Sequence, residues 1–175
     1  MKNIFFIFSS IICINCSNNE STKKNSNVDY SFDNILGYQD TLFIKSRFAD
    51  CGEWGGHNEL IKIYSFENKM KLTYTTYKID CGVRDKSGSI TQVENSIKNK
   101  FLSHDDKSSL MKYINNLMKY KFIRNEFGNS GNTFSIEDSK GQLKLSQYGN
   151  NGSLLTNYND LMKNLGFPNV IVKNN

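Results

Sequence analysis

Three successive segments with strand composition, and the two cysteines beside them, limit what this chain can fold into more than any other feature. Residues 41–48, 60–66 and 70–79 are rich in Ile, Tyr, Thr and Phe and are bounded by Gly, Asp and Asn clusters, as half-buried strands are. Glu67-Asn68-Lys69 leaves room only for a tight reverse turn between the second and third. An up-down-up meander then brings Cys51, just past the first segment, and Cys81, just past the third, to one edge of the sheet. They stand 30 positions apart, and closing a loop of that size with a disulfide stabilises a domain by about 3 to 4 kcal/mol in the chain-entropy picture. A metal site and unpaired thiols are the alternatives for the pair.

Farther along, the apolar spacing changes from two to between three and four. Ser103 stands three residues before Asp106, ahead of Leu110, Ile114, Leu117 and Lys121 with Met111 and Met118 beside that stripe. This predicts a capped amphipathic helix over 104–120. Phe134 and Ile136, the turn residues 138–141, and then Leu143 and Leu145 read as a hairpin. Leu154, Leu155, Tyr158, Leu161, Met162 and Leu165 recur at helical spacing until Gly166 and Pro168 stop them. Val93, Ile97 and Phe101 fit either period, and a strand is the preferred reading. Together these predict an α+β fold: an antiparallel sheet built from a three-strand meander and a later hairpin, with two amphipathic helices packed on one face.

The N-terminus bears on where such a domain resides. Met1-Lys2-Asn3 precedes an apolar run over 4–14, and the chain turns polar immediately after Cys16, with Ser17-Asn18-Asn19-Glu20. One positive charge and about ten apolar residues make a secretory signal; a membrane span needs roughly 20. The stretch resembles the leader of bacterial lipoprotein precursors, in which the cysteine becomes the new N-terminus and carries acyl chains. The resemblance covers the leader alone, and Cys13, Ile14 and Asn15 depart from the aliphatic and small residues that usually precede the cysteine. It implies lipidation at Cys16 and a cell-envelope location, anchored to a membrane by lipid. Cleavage as an ordinary secreted protein and an uncleaved anchor are the other outcomes. In each case the domain meets an oxidising compartment such as the periplasm, which favours the disulfide.

The expected organisation is a signal peptide over 1–15, a lipidated cysteine and tether over 16–27, and one globular domain over 28–175. Residues 17–27 hold no apolar side chain, so they cannot bury enough surface to offset the entropy of ordering and read as a flexible spacer. The formal charge is +5, mild and dispersed along the sequence: Lys23-Lys24 in the tether, Lys69 and Lys71 at a turn, Lys119 and Lys121 at a helix end. No basic stripe with interleaved aromatics is visible along the chain, so nucleic acid is not the expected partner.

Residues 50–59 form the most unusual stretch of the domain. Three glycines, the only tryptophan, one of two histidines and two glutamates lie within ten positions. The glycines permit positive φ and close backbone approach, which suits a loop of one defined shape. Glu53, Trp54, His57 and Glu59 are the candidate site residues. Trp54 could fold back as a lid over the end of the sheet, or stand out as the aromatic anchor of a binding loop. Chemistry would need His57 with a glutamate as base or ligands. A zinc site wants three or four His, Cys or carboxylate ligands; with the cysteines bridged, only Glu53, His57, Glu59 and distant His104 remain. Glu53 and Glu59 could serve glycoside hydrolysis only at a cleft. Ser109 and Lys112 match a Ser-x-x-Lys spacing but lie inside the predicted helix, and Asp105 and Asp106 suit a helix N-terminus. No catalytic set, cofactor or metal is expected. The sequence points to an envelope protein that binds a protein or glycan without chemistry, the alternative being a small hydrolase or metal-binding protein centred on the His57 loop.

Overall fold

The computed structural model describes residues 31–36, 39–122 and 130–172. The signal peptide expected over 1–15 and the lipidated cysteine and tether expected over 16–27 lie outside the described residues. What is described is mixed α+β, a six-stranded antiparallel sheet with two helices. In chain order the elements are β1 (Thr41–Arg47), β2 (Asn58–Phe66), β3 (Lys69–Lys78), β4 (Val93–Phe101), α1 (His104–Tyr120), β5 (Asn132–Asp138), β6 (Lys144–Gly149) and α2 (Gly152–Asn164). In space the strands run β4-β3-β2-β1-β5-β6.

Alternation sets which residues go inward. Ile44 lies opposite Ile61 on one side and Ile136 on the other, and Leu42 opposite Ile63, so one face of the three central strands is continuously apolar. That face shares a single buried cluster with Leu110, Tyr113, Ile114 and Leu117 of α1 and Leu154, Tyr158, Leu161 and Met162 of α2. Burying such side chains is worth about 1.5 to 3 kcal/mol each, the dominant favourable contribution in a domain of this size. The helix starts follow the local sequence. Ser103 accepts from Asp106 N–H while the Asp106 carboxylate accepts from Ser103 N–H, a reciprocal cap. Between β2 and β3 the two-residue turn puts Glu67 and Asn68 at φ +50° and +59°, the positive pair that matches the twist of hairpin strands.

β4 is a strand, and it carries Ile97 and Phe101 on the side facing away from the core, opposite Thr75 and Lys71. Val93, Ile97 and Phe101 are 60%, 50% and 48% exposed, whereas Lys100 and Lys98 stand opposite the buried Leu72 and Tyr74. Lys100 is usable there because its ammonium donates to Asp106 (2.8 Å) and to the Leu165 carbonyl (3.1 Å), at the start of α1 and the end of α2. Burial alone would push the Asp106 carboxyl pKa up; hydrogen bonds from Lys100 and Ser103 outweigh it and hold the pKa below the usual carboxylate value.

Candidate functional site

At one end of the sheet two loops are stapled together. Cys51 and Cys81 form a disulfide with Cα atoms 5.6 Å apart, joining the β1–β2 loop to the β3–β4 loop. Gln92 fastens the same loops by a second route, its amide donating to Gly56 O (3.0 Å) and accepting from Asn58 N–H (3.0 Å). Two glycines make the fit possible. A Cβ on Gly55, whose φ is +96°, would collide with the guanidinium of Arg47, and one on Gly56 would strike the backbone of Phe48 and Asp50. The loop is therefore fixed in shape by covalent, polar and steric means together. Between the stapled loops opens a concavity of about 470 Å³, lined among others by Arg47, Gly56, Asn58, Asp85 and Gln92.

The four candidate residues divide between two environments. Glu53 and Trp54 belong to a 3₁₀ turn over Gly52–Trp54 and face solvent. Trp54 is 62% exposed, and the Arg84 guanidinium lies 4.5 Å from its ring centroid, a cation–π contact worth about 0.5 to 1 kcal/mol at such a site. Trp54 is not a lid. Its carbonyl accepts from Arg47 at 3.3 Å, which ties the turn to β1.

His57 and Glu59 turn inward. The imidazole stacks on Phe48 with ring centroids 4.8 Å apart. Nδ1 is paired with Asp50, which also accepts from His57 N–H at 3.1 Å, and Nε2 lies 3.8 Å from Glu59. Glu59 is buried in the core and accepts from the Tyr158 hydroxyl at 2.7 Å. Burial on its own would lower the His57 pKa; the nearby Glu59 carboxylate and the pairing with Asp50 outweigh it and raise the pKa above 6.5. The Tyr158 and Tyr74 hydroxyls are pushed up in turn, by burial first and then by the Glu59 carboxylate. A buried carboxylate so surrounded is compensated, as a charge inside a protein must be.

Chemically the two groups differ. Asp50 and Glu59 meet opposite nitrogens of one ring and do not converge on a shared point, and Glu53 is out at the surface. Among the described residues no group of three or more His, Cys, Asp or Glu side chains could hold a metal ion, and no helix there is long and apolar enough to cross a membrane. Asp50, Tyr158, Arg84 and Gln92 complete the arrangement, and sequence reasoning does not assign them to it. Tyr158 had one usable signal, since a tyrosine on a buried helix face needs a hydrogen-bond partner. We find no family model that matches this chain and no similar protein among curated ones.

Proposed function

We propose that the chain is a lipid-anchored envelope protein acting as a non-catalytic binding module, with the Trp54 turn as its recognition element. The observation that carries this reading is the outward placement of Trp54 on a loop held rigid by the disulfide and Gln92. A large aromatic in a pre-set position loses little entropy on contact, and such residues dominate interface energetics. The scaffold is taken as a three-strand meander and a hairpin with both helices on one face. The leader would deliver the chain to the periplasm or an equivalent compartment, where acyl chains on Cys16 would hold it to a membrane. The partner is a protein or a glycan.

Trp54→Ala tests the reading. Capture of a partner from solubilised envelope should weaken by more than about 2 kcal/mol, the scale of a hot spot, with the fold intact. Undiminished capture of the same partner by the variant would refute it.

A second reading, a small envelope hydrolase or metal-binding protein centred on His57, draws on the Asp50–His57 pair, because a carboxylate at Nδ1 orients an imidazole for proton transfer. It requires His57→Ala to abolish a hydrolytic activity or a bound metal.

A further inference from the structure

The sheet face turned away from the helices carries a pattern that the sequence disperses over three strands. Strand register places Lys69 and Lys71 on β3, Lys62 on β2, and Lys45 and Arg47 on β1 along one diagonal. Lys71 lies opposite Tyr64, Lys62 opposite Phe43, and Lys45 opposite Leu60. On this face β1, β2 and β3 present those five cations and no carboxylate. Glu137 of β5 pairs with Lys45 from the side.

The lysines do not hang free. Lys71 sits over Phe66 (4.7 Å to the centroid), Lys62 over Tyr64 (5.1 Å), Lys45 over Phe43 (5.6 Å) and Lys69 over Phe101 (5.8 Å). Each ammonium is thereby held near a fixed place, which lowers the ordering cost that long side chains impose on binding. With about 6.8 Å between same-face residues along a strand and about 4.8 Å between strands, the diagonal extends on the order of 30 Å.

We propose that this face seats a linear acidic polysaccharide, its carboxylate or phosphate groups lying along the diagonal from Lys69 to Arg47. Charge complementarity requires a polyanion, and a stripe requires a chain. Two concavities beside the track, one polar and one partly apolar, choose among polyanions. One of about 390 Å³ is bordered by Gln39, Thr41, Lys62 and Asn68 together with the carboxylates of Asp40 and Glu67, and one of about 360 Å³ by Lys45, Arg47, Asn58 and Ser135 together with Glu59 and the apolar surface of Leu60 and Tyr77. Amides, hydroxyls and carboxylates beside a cationic track match a polymer rich in hydroxyls, since each can bond a sugar hydroxyl while the cations take its anionic groups. Single-stranded nucleic acid uses aromatic rings as stacking platforms, and here each of the four rings already carries an ammonium. A bilayer would call for charge spread over an area, not along a line.

The inference does not depend on the Trp54 reading, and binding of purified full-length protein to defined polymers separates the two. Polygalacturonate should bind at least about tenfold more tightly than neutral dextran, with the preference lost at high salt. Lys62→Gln with Lys71→Gln should weaken polygalacturonate binding by about tenfold or more, as expected when two charge-assisted contacts go. Lys45→Gln with Lys69→Gln provides an independent pair should the first fail to fold. Lys112→Gln with Lys119→Gln, on the exposed side of α1, should change nothing, and neither should Trp54→Ala. Equal binding by parent and stripe variants would overturn the proposal. So would an equal loss in Trp54→Ala, or tighter binding to oligo(dT) or to phosphatidylglycerol vesicles than to polygalacturonate.

Discussion

The two halves of the segment from Cys51 to Glu59 differ in almost everything but position. Glu53 and Trp54 stand in solvent on a 3₁₀ turn, while His57 and Glu59, a few residues later, lie against Phe48 and Tyr158. The difference arises at Gly55 and Gly56, where the backbone passes so close to Arg47, Phe48 and Asp50 that no side chain fits. Beyond them β2 begins, and its alternation sends Glu59 inward. Neighbouring residues thus form two separate environments, one exposed to solvent, the other an internal electrostatic network.

Removing a member of each half should give very different losses. Glu59→Ala leaves the Tyr158 hydroxyl and His57 without their buried carboxylate, and the stability cost should be about 3 to 5 kcal/mol by urea denaturation. A loss under about 1 kcal/mol would mean that the network contributes little. Opening the staple with Cys51→Ser and Cys81→Ser should cost slightly less, about 3 to 4 kcal/mol, and it acts on both halves at once. Trp54→Ala should cost under about 1 kcal/mol, the worth of its contact with Arg84; a loss near 3 kcal/mol would assign Trp54 to the core instead.

The smallest effect is one of pH. The His57 pKa is raised on folding, so its stabilising contribution is complete below the unfolded value near 6.5 and disappears as pH rises through the folded value. Denaturation midpoints compared from pH 5.5 to 9 should show this decline in the parent and not in His57→Gln. An identical profile in both proteins would exclude His57 as its source.

Much of the frame was legible in the residues. The Ser103–Asp106 cap and the stripe after it gave a helix over 104–120, where α1 lies, and the ends of the strand-like segments brought Cys51 and Cys81 to bonding distance. Strand limits moved by a residue or two, as element ends do. The spacing of Val93, Ile97 and Phe101 was ambiguous because a four-residue interval satisfies both a strand and a helix. Choosing the strand did not reveal that its apolar side faces out, since that depends on Asp106 and the Leu165 carbonyl capturing Lys100. The candidate site was half legible. Its composition was plain, but Asp50 meets His57 through a glycine fold-back, and Tyr158 meets Glu59 from 99 positions away. The cationic diagonal is hidden in the sequence for a like reason: its members come from three strands, and only register aligns them.

The order of the strands also sets a chronology. β1 pairs with β2, its neighbour in sequence, across the loop over 48–57, yet its other edge waits for β5, with Leu42 opposite Asp138 at a separation of 96 positions. When the chain has emerged only as far as Phe101, four strands can zip through local hairpins while the open side of β1 offers unpaired N–H and C=O groups. The buried flank of Leu42 and Ile44 is then still without α1, α2 and Phe134. Long-range closure of this kind is slow relative to hairpin formation, and a bare strand edge is a template for pairing with other chains. The vulnerable moment for this protein therefore falls between completion of β4 and arrival of β5, the interval in which a holding chaperone would matter most.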